Sequence, residues 1–240
     1  KSIYDKKEQL NLSTEDAKLL EDLYESFKAN GATLNKDDKE KYRKLSMDLS
    51  MLTLQFDQNA LKDKNRFELL ITDENELSGL PESARDAAAM LAKSKDKNGW
   101  LFNLSAPSYI PFMRYSDKRD LREKMYREYM SVGNKGDEFD NKDIIKKIVN
   151  IRLEIAQLMG FKNYAEYALE HTMAKNSANV YKLLNQLLEA YKPIAINEYN
   201  AVEGFALGTE KENITVMPWD WSYYSEKLRD IRFKVNDEMT

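Results

Sequence analysis

At 240 residues with 42% hydrophobic content, the chain is long enough for one substantial core or two smaller ones. Its 37 basic and 41 acidic residues give a formal net charge of -4 and alternate in sign along the segments, so no electrostatic case for a nucleic-acid partner arises. No apolar run approaches the roughly 18–20 residues that span a bilayer, residues 1–10 are too charged for a signal peptide, and the absence of cysteine excludes disulfides and a Cys-ligated zinc site.

Helical periodicity dominates in chain order. A first helix is expected to open at Ser13, whose spacing to Asp16 resembles a capping box with aspartate in the acidic position, and to stop at Asn30-Gly31. Asn35, Asp37 and Asp38 make the polar start of a long second helix. In it Tyr42, Leu45, Leu49, Leu52, Phe56 and Leu61 recur at three and four residues as one apolar face, and the two helices are expected to pair as an antiparallel hairpin. Strand character is confined to Phe67-Glu68-Leu69-Leu70-Ile71 and Trp100-Leu101-Phe102-Asn103-Leu104, which predict a small antiparallel sheet beside the helices. Between them Pro81 suits the first turn of a helix carried by good helix formers over residues 84–93.

Pro107 and Pro111 are expected to keep the chain extended before a helix from about Asp117. Gly133-Asn134-Lys135-Gly136 reads as a connector, because it lacks the spacing and strand-to-helix context of a phosphate-binding loop. Ile144, Ile148, Ile151, Ile155 and Leu158 give a second apolar stripe, entered through Asn141 and ended at Gly160. Residues 177–205 are again helical in pattern, with a kink or break expected at Pro193. No repeat of constant period is evident.

Residues 151–180 read I-R-L-E-I-A-Q-L-M-G-F-K-N-Y-A-E-Y-A-L-E-H-T-M-A-K-N-S-A-N-V, and residues 217–229 read M-P-W-D-W-S-Y-Y-S-E-K-L-R. With residues 13–22, 34–59, 76–83, 107–113, 117–130 and 140–145, taken in order, these blocks resemble the thimet oligopeptidase family of zinc metallopeptidases, most of all its bacterial peptidyl-dipeptidases. The resemblance implies a mainly α fold: helical hairpins and a bundle of a neurolysin-like peptidase lobe, with a small antiparallel β element. Residues 1–240 would form a partial peptidase chain, the wall lobe. A subdivision is expected at 1–135, a helical hairpin plus small sheet, and 136–240, a helical segment.

Catalysis in that family depends on H-E-x-x-H, two histidines one helical turn apart that hold zinc around a glutamate acting as general base. This chain has one histidine, His171, in H-T-M-A-K. The resemblance therefore implies an internal piece ending before the catalytic centre, with no catalytic residue, no metal ligand and no cofactor of its own; zinc belongs to the full-length parent. Lys1 and Thr240 are read as interrupted ends. Glu154, Glu166 and Glu170 lie near His171 in sequence, but three converging ligands are not visible, and a structural histidine is the expected role.

Trp219, Tyr223 and Tyr224 are the candidates for substrate binding, since aromatic rings can wall a peptide site. Set against this is anchoring, in which Asp220 caps a helix while Trp219 and Tyr223 bury their rings. The run Tyr115, Arg119, Arg122, Tyr126, Arg127 and Tyr129 is interleaved with Asp117, Asp120, Glu123 and Glu128, and reads as a solvated helix with local ion pairs.

The expected function is that of a non-catalytic segment of a zinc metallopeptidase that hydrolyses short oligopeptides, with release of C-terminal dipeptides favoured by the resemblance. The alternative is a self-contained α-helical interaction module without catalysis. Expected partners are the remaining catalytic part of the same polypeptide, short peptides in the full-length enzyme, and a second copy of the fragment through an exposed apolar patch involving residues 219–224. No nucleic acid and no membrane are expected. The expected location is cytoplasmic, with a periplasmic or exported one left open by whatever precedes Lys1.

Overall fold

Polar side chains set the helix starts in this computed structural model, which describes residues 1–210 and 214–234. Ser13 Oγ accepts the Asp16 N–H at 3.1 Å and opens helix α1 (Thr14–Ala29); its hydroxyl also donates to Asp16 Oδ2 at 2.7 Å. Asn35 Oδ1 takes the Asp38 N–H at 2.9 Å and opens helix α2 (Lys36–Arg66). The remaining elements are β1 (Leu69–Ile71), α3 (Glu82–Ser94), β2 (Trp100–Phe102), α4 (Ala106–Tyr115), α5 (Arg119–Met130), α6 (Lys142–Leu158), α7 (Tyr164–Leu169), α8 (Ser177–Thr209) and α9 (Pro218–Phe233). The fold is mainly α with one two-stranded antiparallel sheet.

The chain gathers into two compact units, one of Lys1–Phe56 with Asp143–Leu183, the other of Asp57–Lys142 with Leu184–Thr240. In the first, Leu45, Ile144, Ile155 and Ala156 are buried, and the Tyr167 hydroxyl donates to the Ala29 carbonyl at 2.7 Å, tying α7 to the end of α1. Leu19, Leu23 and Phe27 of α1 remain exposed, so this unit buries little of its own apolar surface.

In the second unit, Leu69 stands opposite Phe102 and Ile71 opposite Trp100. Gly99 turns the chain into β2 at φ +114, where an added Cβ would lie 2.2 Å from the Ile71 carbonyl oxygen. Leu69 and Ile71 enter a core shared with Leu77, Leu80, Phe102, Leu104, Phe112, Met113, Met125 and Trp219, in which Phe102 and Phe112 meet edge to face at 4.8 Å. A smaller core joins Val202 and Ala206 of α8 to Tyr223 and Tyr224 of α9.

The structure corrects four sequence expectations. Pro107 and Pro111 do not hold an extended segment: both lie within α4, Pro107 in its first turn, where an N–H would be unpaired anyway, and Pro111 inside it, its lost bond offset by the burial of Phe112 and Met113 that follow it. Of the kink or break expected at Pro193, the break is absent: α8 runs from Ser177 to Thr209, and residues 181–200 are exposed, so water can satisfy the carbonyl that proline leaves unpaired. Leu61 is exposed, and the inward face of α2 continues instead through buried Asn59 and Asp63. Arg122 is buried rather than part of a solvated helix face. Among the described residues no helix is long and apolar enough to cross a membrane.

Candidate functional site

The densest polar constellation lies where α5 meets α9, within the second unit. Pro218 fixes the first turn of α9, and Asp220, at its third position, accepts the Met217 N–H at 3.0 Å. The same carboxylate is held by Arg119, with Nε at 3.0 and 3.1 Å from its two oxygens and Nη2 at 2.7 Å, and by Arg122 Nη2 at 2.9 Å. Arg122 also donates from Nη1 to the Ser116 carbonyl at 2.7 Å. Asp220 is 0% and Arg122 1% exposed. Burial alone would push the Asp220 carboxyl up, but Arg119, the Met217 N–H and Arg122 outweigh it and hold the group below its ordinary value.

The three aromatic candidates pack around this clamp. Trp219 is 6%, Tyr223 7% and Tyr224 2% exposed. The Arg127 guanidinium lies 4.8 Å from the Trp219 ring and that of Arg122 lies 3.9 Å from the Tyr223 ring. Tyr223 donates to Asp117 Oδ1 at 2.7 Å and Tyr224 to Glu210 Oε1 at 2.5 Å; burial, and then these carboxylates, raise both phenols well above their usual range. The ring of this segment that does meet solvent is Trp221, stacked on Tyr199 of α8 at 6.0 Å. Sequence periodicity favoured neither Trp221 nor the pairing of Asp220 with arginines about a hundred positions away, which no local spacing encodes.

A second buried carboxylate organises the glycine connector. Asp63 accepts the Gly133 N–H at 2.7 Å, Lys135 Nζ at 3.2 Å and Arg66 Nη2 at 2.7 Å. The connector is therefore a fixed turn, with Gly133 at φ +70. One sequence signal existed: Asp63 falls on the inward face of α2, where an acidic residue needs partners.

Neither constellation offers an unengaged nucleophile or base, because each carboxylate is neutralised by the cations around it. His171 sits at the surface after α7, with Nε2 3.3 Å from Glu170 Oε2 and 3.9 Å from Glu25 Oε2. Glu166 instead accepts from Asn163 Nδ2 and the Lys162 N–H near the start of α7. Among the described residues no group of three or more His, Cys, Asp or Glu side chains converges as a metal set. The described residues do not bring together a zinc ligand set of the His-plus-carboxylate kind.

The family model described as Peptidase family M3 matches residues 112–240, which takes in α5, the whole clamp around Asp220, and α9. The chain is 37% identical over 227 residues to Oligopeptidase A of Haemophilus influenzae, a match covering 92% of this chain and 33% of that protein. It is 36% identical over 234 residues to Oligopeptidase A of Salmonella typhimurium, covering 95% and 34%. To Dipeptidyl carboxypeptidase of Escherichia coli it is 28% identical over 237 residues, covering 98% and 35%. The chain thus spans about a third of the length of the curated relatives it matches. With more than half of its residues inside the family match, the chain belongs to peptidase family M3.

Proposed function

We propose that this chain is a non-catalytic segment of a zinc metallopeptidase that hydrolyses short oligopeptides, and that the zinc ligands and the attacking water are held outside these 240 residues. One observation carries the reading: a family match over residues 112–240 in a chain about a third as long as its relatives and, among the described residues, without a converging ligand set. Higher identity to the two oligopeptidases than to the dipeptidyl carboxypeptidase supports oligopeptide cleavage over dipeptide release. Trp219, Tyr223 and Tyr224 then serve the enzyme by anchoring α9, and the clamp around Asp220 fixes α9 against α5. A cytoplasmic location accords with the cysteine-free composition.

The test is to read the coding sequence beyond Thr240 and assay the polypeptide it encodes on a quenched oligopeptide. An in-frame H-E-x-x-H and chelator-sensitive cleavage are expected. A stop codon directly after Thr240 would favour the self-contained helical module instead.

A further inference from the structure

Helix α8 leaves a run of large apolar side chains exposed. From Leu184 onward, within the second unit, Leu188 is 59%, Tyr191 62% and Ile194 52% exposed, and Ile196 and Tyr199 are exposed as well. At 3.6 residues per turn these side chains and Leu187 sweep an arc of about 200° around the helix, roughly twice the apolar stripe of an ordinary surface helix. One neighbouring helix, whether from a bound peptide or from a second copy, covers only a stripe of that arc. A helix apolar over so much of its circumference is built to be enclosed by several elements of a larger body, and the relatives are about three times as long as this chain. Carbonyls freed at Pro193 can face polar groups of such a body as readily as water.

We infer that the α8 face centred on Leu188 and Tyr191 is the docking surface for the remaining part of the same peptidase polypeptide. The inference rests on the reading of this chain as a peptidase segment and says which surface joins it to the rest. The aromatic pair Tyr199 and Trp221 continues this surface onto α9, so docking fixes α8 and α9 together.

The chain has no cysteine, which makes a single introduced thiol a clean reporter. Tyr191→Cys and Leu188→Cys would each be made in the 240-residue chain and in the polypeptide encoded by its complete reading frame. Modification by a maleimide would be timed at low protein concentration and divided by the rate for the same thiol in urea. Near-unfolded reactivity is expected in the 240-residue chain, and at least tenfold protection at both positions in the complete polypeptide. Equal reactivity in both would overturn the inference, as would a reading frame that adds nothing. Protection appearing only where the complete polypeptide dimerises would assign the face to a second copy, and protection only on adding an oligopeptide would assign it to substrate; either result overturns the inference. The labelling measures coverage rather than turnover, so an inactive but protected polypeptide would sink the peptidase reading while leaving the docking surface standing.

Discussion

Asp220 is the residue on which the α5 and α9 junction turns, and its removal strands a fully buried guanidinium at Arg122. Asp220→Ala is expected to destabilise the chain by about 3–5 kcal/mol, more than the ~1 kcal/mol of a simple helix cap, because breaking a buried pair leaves a charge uncompensated. Equilibrium urea unfolding measures this; a loss under about 1 kcal/mol would mean Arg122 finds another partner. The Asp220 carboxyl is held below its unfolded value, so its contribution is present above about pH 4 and lost as pH falls through the folded value. Asp117, pulled the same way by Tyr223, Ser78 and Lys227 against its burial, adds to that loss. The acid side of the stability curve should therefore be shallower in Asp220→Asn than in the unaltered chain. Gly79, at φ +85, leaves no room for a side chain, since an added Cβ would lie 2.1 Å from the Tyr115 carbonyl oxygen. Gly79→Ala should accordingly cost at least about 1–2 kcal/mol in the same unfolding measurement. None of these three-dimensional demands could be seen in the local sequence. Ser78 and Asp117 meet across 39 positions, and Arg122 and Asp220 across 98.

Elements were far more legible than their partners. Ser13 and Asn35 announced their helices because a cap is a contact across three residues, and the isoleucine stripe of α6 was visible because burial follows helical period. Both strands lie within the expected apolar runs, β1 inside residues 67–71 and β2 inside residues 100–104. Proline misled in α4, and in α8 the break half of the expectation fails, because its penalty is a local term that burial or solvation of the neighbouring groups can outweigh. That account has a measurable consequence in α8. Pro193→Ala should raise the melting midpoint, with a gain of about 1–3 kcal/mol as the missing helical hydrogen bond is restored. A lowered midpoint would show that the proline ring makes contacts of its own. Sequence also pointed to residues 219–224 as part of an exposed apolar patch; three of the four aromatic rings there are buried, while broad apolar faces are exposed on α8 and on α1. Periodicity can say that a face is apolar but not whether anything covers it.

For the whole molecule, the family was readable from ordered blocks, while the catalytic chemistry was not, since one histidine and no cysteine leave too few zinc ligands of the familiar kinds. The clamp on Asp220, the anchored rings of α9 and the uncovered face of α8 accord with the role proposed above, a non-catalytic segment of a larger peptidase. The most direct test is metal analysis of the purified 240-residue chain after exhaustive dialysis, run beside a quenched-peptide assay with and without chelator. The account predicts no stoichiometric zinc and no chelator-sensitive turnover. One zinc per chain together with turnover abolished by chelator would contradict it, and would place the catalytic centre within these residues.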